Sequence, residues 1–71
     1  MLKIKQIMSA RRISQRALAQ AMGVSPAACA QLLNHEQWPR TMPREALVSA
    51  AVDFLREQGL SNEEAEAAFE S

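Results

Sequence analysis

The 71-residue chain is short of several residue types, and each shortage excludes a class of protein. The single cysteine, Cys29, has no partner for a disulfide and no histidine cluster beside it for a metal site, so we expect a buried, unreactive thiol. No apolar run approaches the roughly 20 residues that a membrane-spanning helix needs. The first residues alternate apolar with basic side chains and form no secretory signal, so we expect a cytoplasmic protein that does not enter a membrane.

Catalytic and nucleotide-binding motifs are also missing. Neither G-x-x-x-x-G-K-[ST] nor G-x-G-x-x-G occurs, and no set of serine, histidine and aspartate suggests a catalytic triad. The single histidine, His35, cannot form a metal site alone. We therefore expect no enzyme activity, no cofactor and no metal in this chain.

Acidic side chains are absent from the first 35 positions, although the whole chain has a formal net charge of zero. Residues 1–44 contain seven lysines and arginines and one acid, Glu36, which gives a net charge of +6. Residues 45–71 contain seven acids and one base, Arg56, which gives −6. This asymmetry suggests one half that faces a polyanion and an acidic tail, and the alternative is two solvated faces.

Helical periodicity is present in five segments, without strand-type alternation or internal repeats. A chain of this length forms one domain at most, here covering residues 1–71. Serines precede the second, third and fifth segments as N-caps, and Gly23 and Gly59 end the second and fourth. We predict an all-α, compact bundle of five short helices, with Asn34 as the C-terminal stop of the third. The predicted helices cover about residues 2–11, 15–22, 26–33, 43–58 and 62–69.

The stretch 15–33, QRALAQAMGVSPAACAQLL, contains two of these predicted helices, joined at Gly23. Its small or apolar residues fall where two helices that cross steeply would touch: Leu18, Ala19, Met22, Val24, Cys29 and Leu32. This arrangement is typical of helix-turn-helix units, which place their second helix in the DNA major groove.

Three segments carry a resemblance to a known family: SQRALA at 14–19, MGVS at 22–25 and QLLN at 31–34. The chain resembles the lambda-repressor-like (Cro and XRE-type) DNA-binding domains. The resemblance implies that double-stranded DNA is the partner, that the third helix lies in the major groove and that Gln15 meets a phosphate. The segment NHEQWPR at 34–40 also looks like a junction in Ner-like phage regulators and in the N-terminal domain of Mu-like phage transposition ATPases. Those likenesses imply a transcription regulator or a fragment of a longer transposition protein.

Residues on the outward side of the third helix are candidates for reading bases: Gln31, Ala27 and Ala28. Gln31 can form a bidentate contact with adenine, and an alanine can touch a thymine methyl group. The alternative for Gln31 is an ordinary exposed helix glutamine. Because the predicted helix carries no charge, the alternative function is a protein-docking module that uses the same fold without reading DNA sequence.

Residues around the third helix are candidates for phosphate contacts: Gln15, Arg16, Ser25, Asn34, His35, Arg40 and Arg44. Gln15 and Ser25 lie at predicted helix N-termini, where the helix dipole and unpaired amides attract anions. For Ser25 these amides belong to Ala27 and Ala28. For each arginine, the alternative is a solvated surface charge.

Two predictions concern aromatic residues outside the turn. Trp38 is expected to cover the third and fourth helices as a core or lid residue, with base stacking as the alternative. The fifth helix has Ala65 and Phe69 on one face. This face is a candidate surface for a homodimer or a partner protein, and the alternative is that it closes the core.

Overall fold

The computed structural model describes residues 3–69 and contains five α-helices in that range. They are α1 (Lys3–Arg11), α2 (Gln15–Met22), α3 (Pro26–His35), α4 (Arg44–Glu57) and α5 (Asn62–Ala67). No strand occurs among these residues, so the all-α prediction is confirmed. Leu2, with which the first helix was predicted to begin, lies outside the described residues. In the same range, no helix is both long and apolar enough to cross a membrane.

Serine side chains define the start of three helices. The Oγ atoms of Ser14, Ser25 and Ser61 each accept a hydrogen bond from the amide three residues later, at 3.1 Å. Each bond satisfies an amide that a helix N-terminus leaves unpaired. The Ser61 hydroxyl also donates to the Glu64 carboxylate at 3.3 Å, so both residues of an S-x-x-E pattern interact.

The turn between α2 and α3 depends on a left-handed backbone at Gly23, whose φ is +73°. The amides of Gly23 and Val24 donate to the carbonyls of Gln20 (3.2 Å) and Ala19 (3.0 Å) in the last turn of α2. A residue with a Cβ resists this φ, so the glycine explains where α2 stops.

Helix α4 lies at the centre of an apolar core. It packs against both α2 and α5, and its residues Leu47, Ala51 and Leu55 have no exposed surface. The amide of Ile4 donates to the carbonyl of Ala68 at 2.7 Å, which joins α1 to the turn after α5. The other buried side chains come from α1, α2, α3, α5 and the turns before and after α5: Ile4, Met8, Leu18, Ala19, Met22, Cys29, Leu32, Leu33, Leu60, Ala65 and Ala68.

Helix α3 is longer than predicted. It continues through Asn34, the predicted stop, and its end is set by Glu36, whose φ is +53°. The amide of Gln37 donates to the carbonyl of Gln31 at 3.3 Å and closes the last turn. The prediction was wrong because the left-handed residue that ends the helix is Glu36, whereas Asn34 keeps a helical backbone.

The fourth and fifth helices are slightly shorter than predicted. Pro43, with a ψ of 139°, is the N-cap of α4 rather than its first residue, and α4 ends before Gln58. α5 ends at Ala67, and the next two residues form a turn. Ala65 has no exposed surface, so it is not available to a dimer partner. Of the two alternatives for this face of α5, the structure shows closure of the core.

Candidate nucleic-acid interface

Packing of α2 against α3 determines which side of α3 faces outward. Cys29 and Leu32 are buried, whereas Ala27 and Gln31, about one helical turn apart, are exposed. Ala28 is half-buried, so it lies at the edge of the outward face rather than on it. Among the three predicted base-reading residues, Gln31 is the one whose side chain has hydrogen-bonding groups.

The N-terminus of α2 borders a hollow that it shares with α1 and the end of α3. The hollow is lined by Lys5, Met8, Ser9, Ile13, Gln15 and Leu33. The Nζ atom of Lys5 donates to Oδ1 of Asn34 at 2.9 Å. Two predicted phosphate-binding residues, Gln15 and Asn34, are therefore grouped around Lys5, which the sequence interpretation did not include.

Lys5 was missed because nothing in the sequence relates it to Asn34, 29 residues later. Its only signal was its place on the polar side of a predicted helix. The side chains of Lys5, Asn34 and Gln15 are all exposed. The bond to Lys5 occupies the oxygen of Asn34 and leaves its amide hydrogens for another acceptor. An ammonium group beside two amides is a set of donors that suits a phosphate.

Ser25 lies at the N-terminus of α3, but part of the anion site predicted there is already occupied. Its Oγ accepts the amide hydrogen of Ala28 at 3.1 Å. That amide is therefore not offered to a phosphate, contrary to the prediction. The exposed Ser25 hydroxyl keeps its own hydrogen as a donor.

An aromatic cluster connects the segment after α3 to α4 and to the C-terminal turn. The guanidinium carbon of Arg44 lies 4.5 Å from the centre of the Trp38 ring. The Trp38 and Phe69 rings are 5.8 Å apart and inclined at 42°. Trp38 is half-buried, which fits a lid residue. The cation–π contact holds the charge of Arg44 beside the indole ring.

The other predicted phosphate ligands are exposed side chains. Arg16 lies on α2 and Arg40 in the connector between α3 and α4. His35 lies in the last turn of α3, not in the connector where it was expected. Within residues 3–69, Arg16, Arg40 and Arg44 form no ion pair with an acidic side chain. Their phosphate contacts stay predictions.

Cys29 is a free thiol on the inward side of α3, buried in the core as predicted. Burial raises the pKa of this thiol above its ordinary value of 9.0. The thiol is therefore neutral at pH 7 and poorly nucleophilic. In the described part of the chain, no three His, Cys, Asp or Glu side chains lie together as metal ligands.

Residues 3–49 match the Cro/C1-type HTH DNA-binding domain, where HTH denotes helix-turn-helix. The chain belongs to this family. The match extends from α1 into α4 and contains every residue predicted to contact DNA. The lambda-repressor-like resemblance is therefore confirmed, and with it DNA binding as the general function. No curated protein and no solved structure matches the chain.

In this Cro/C1-type domain, the matched segment is also the basic part of the chain. Residues 3–49 contain seven lysines and arginines against two acids, Glu36 and Glu45. Duplex DNA presents a dense row of negative charges. The charge asymmetry of the sequence therefore agrees with the interface that the helix-turn-helix defines.

Proposed function

We propose that this domain binds double-stranded DNA by inserting α3 into the major groove and reads bases chiefly through Gln31. The proposal is carried by the exposure of Gln31 on a helix that has cations beside it. Lys5 bonds to Asn34 at the end of α3, and Arg44 stacks on Trp38, which lies next to Gln31. A glutamine amide matches N6 and N7 of adenine, and cations attract the flanking phosphates.

Most of the affinity for duplex DNA should be independent of sequence, and the preference for one sequence should be small. α3 contains no lysine, arginine, aspartate or glutamate, so the common contact between arginine and guanine is missing. The cationic side chains lie around α3 instead and contact the phosphates of the DNA backbone. Phosphate contacts carry no sequence information directly. We expect a salt-sensitive DNA binder whose preference is modest and centred on an adenine.

The biological role proposed for the domain is that of a phage-type transcription regulator or of the DNA-binding module of a larger transposition protein. Support comes from the segment 34–40, which resembles a junction in Ner-like regulators and Mu-like transposition ATPases. Both roles use the same interface, place the protein in the cytoplasm and need no catalysis by this domain. If two copies bind together, their half-sites should lie about one helical turn apart. The reading frame of the gene separates the two roles, because an ATPase module downstream supports transposition.

The uncharged α3 favours a second candidate, a protein-docking module of the same fold. Pro26 and Ala27 are exposed and offer a small apolar surface to a partner helix. In that case Gln31 is an ordinary surface glutamine, and any affinity for DNA comes from charge alone.

A titration of the chain with a mixed-sequence duplex at increasing salt tests the proposal. Trp38 is the only tryptophan and supplies an intrinsic signal, and the anisotropy of a labelled duplex supplies an independent one. We expect binding at low salt, with the logarithm of the binding constant falling linearly with the logarithm of the salt concentration. Failure to bind any duplex at low salt, or binding that does not respond to salt, would contradict the proposal.

A further inference from the structure

A shallow hollow of about 210 Å³ lies beside Gln31, between α3 and the segment that follows it. Its lining residues are Ala28, Gln31, Gln37, Trp38 and Pro39. Ala28, Trp38 and Pro39 are half-buried and present an alanine methyl, an indole and a pyrrolidine ring. Gln31 and Gln37 are exposed and present amides. The hollow therefore combines an apolar lining with two hydrogen-bonding side chains.

The backbone and the aromatic cluster hold this hollow in place. The left-handed residue Glu36 reverses the chain, and the Gln37 amide donates to the Gln31 carbonyl at 3.3 Å. Trp38 contacts the Phe69 ring at 5.8 Å and the Arg44 guanidinium at 4.5 Å. The hollow is thus formed before any ligand binds, which lowers the entropy that ordering would cost on binding.

From this geometry we infer that the hollow is a subsite for the 5-methyl group of a thymine and that Gln37 is a second base-facing residue beside Gln31. The inference rests on the proposed function, because it needs α3 in the major groove. In that groove, thymine is the standard base that presents a methyl group, and small apolar side chains recognise it by contact. A glutamine amide pairs with adenine N6 and N7. Two amides around an apolar lining therefore suit adjacent adenine and thymine bases.

A selection followed by single-atom changes in the DNA tests the subsite. Duplexes that bind the wild-type chain are selected from a random-sequence pool, and each thymine of a selected duplex is replaced in turn by deoxyuridine, which lacks the methyl group. We expect one such replacement to weaken binding about fourfold, the factor that corresponds to one buried CH₂-sized group. The other replacements should change the affinity by less than twofold.

Variants then assign the effect to the hollow. Ala28→Ser adds a hydroxyl at nearly constant size, and Trp38→Phe removes part of the indole surface. Both should reduce the thymine-to-uracil ratio towards one. Gln37→Ala should weaken binding to the selected duplex without changing this ratio, whereas Gln58→Ala, at an exposed glutamine at the end of α4, should change neither. Circular dichroism checks that each variant is folded. If Trp38→Phe does not fold, Ala28→Ser alone tests whether the hollow recognises the methyl group.

The possible failures can be told apart. If the chain binds duplexes but the pool yields no preferred thymine, or no deoxyuridine replacement exceeds twofold, the methyl subsite is wrong and the proposed DNA binding stands. The subsite is also wrong if the fourfold effect persists in Ala28→Ser, because the methyl group is then recognised elsewhere. If no duplex binds at low salt, the proposed function fails together with the subsite.

Discussion

At the scale of single residues, the helix-turn-helix depends on the backbone angle of one glycine. A Cβ added to Gly23 would meet no other atom within 4 Å, so its φ of +73° is the feature that favours glycine there. This preference belongs to the residue itself, and for that reason the sequence alone predicted the position of the turn.

Gly23→Ala should lower the free energy of unfolding by about 1–2 kcal/mol, the cost of a left-handed backbone in a residue with a Cβ. Gly23→Asn should cost less, because asparagine tolerates this region, and Gly23→Val should cost more. Urea denaturation followed by circular dichroism measures all three. An alanine variant as stable as the wild type would show that the turn does not hold this φ.

Gln31→Ala should weaken binding to a preferred duplex by about 1–3 kcal/mol and leave binding to random duplex nearly unchanged. The reason is that a base contact contributes only where the matching base is present. The titration described above, run in parallel with preferred and random duplexes, measures both losses. Equal losses on the two duplexes would mean that Gln31 does not read a base.

Cys29 should make the protein less stable in alkaline solution. Below its ordinary pKa of about 9 the thiol is neutral in both the folded and the unfolded chain. Above that pH the unfolded chain ionises first, since burial raises the folded pKa, and so the free energy of unfolding falls as the pH rises. Denaturation curves between pH 8 and about pH 10 should show this fall for the wild type, and Cys29→Ala should reduce it. An identical fall in both proteins would assign it to other groups.

At the scale of helices, the starts were easier to predict than the ends. Ser14, Ser25 and Ser61 bind the amide three residues later, so each cap could be recognised from its local sequence. The end of α3 depends on a left-handed backbone at Glu36, a conformation that residues other than glycine rarely adopt, so the local sequence did not reveal it. Contacts across the fold were not visible in the sequence either. Asn34 meets Lys5 from α1, and this pair is 29 residues apart in sequence. The same reason explains why the predicted site lacked Lys5 and the hollow beside Gln31.

Two of these caps form a matched pair that separates stability from DNA binding. Ser25→Ala and Ser61→Ala each remove one cap hydrogen bond of 3.1 Å, so each should cost about 1 kcal/mol of stability. Ser61→Ala also removes the exposed bond from the Ser61 hydroxyl to Glu64, so its cost should be equal or slightly larger. Only Ser25 lies at the N-terminus of α3, so only Ser25→Ala should also weaken DNA binding under conditions where both variants are fully folded. Thermal denaturation and duplex titration measure the two effects. If both variants bind DNA as the wild type does, Ser25 caps α3 but does not contribute to DNA binding.

At the scale of the whole molecule, the acidic C-terminal half completes the core of the basic half. Ala68 accepts the amide of Ile4, and Arg11 on α1 pairs with Glu64 on α5 at 3.8 Å. The two charged side chains of that pair are 41% and 58% exposed, so the pair contributes little to stability. The family match ends at residue 49, whereas the core continues to Ala68. The sequence predicted the division of charge. It did not predict the contacts between the two halves that complete the core.

The division of charge predicts different effects for two exposed arginines. Arg40→Ala should weaken binding to all duplexes alike and reduce the salt slope by about one, because one phosphate contact is lost. Arg56→Ala is the matched control: Arg56 lies on α4, where it pairs with Asp53 at 3.6 Å, and should leave the slope unchanged. Salt titrations of the three proteins give the slopes. Equal slopes for wild type and Arg40→Ala would show that Arg40 does not contact a phosphate.

Amide chemical-shift mapping by NMR on addition of duplex DNA tests the central claim most directly. The claim predicts that the largest shifts fall on the N-terminus of α2 at Gln15, on the outward side of α3 at Ala27 and Gln31, and on Gln37 in the segment after α3. Away from Arg44, the groove between α4 and α5 should stay silent, at Val48, Val52 and Glu66. A titration in which that groove shifts while α3 does not, or in which no amide shifts at all, would contradict the account.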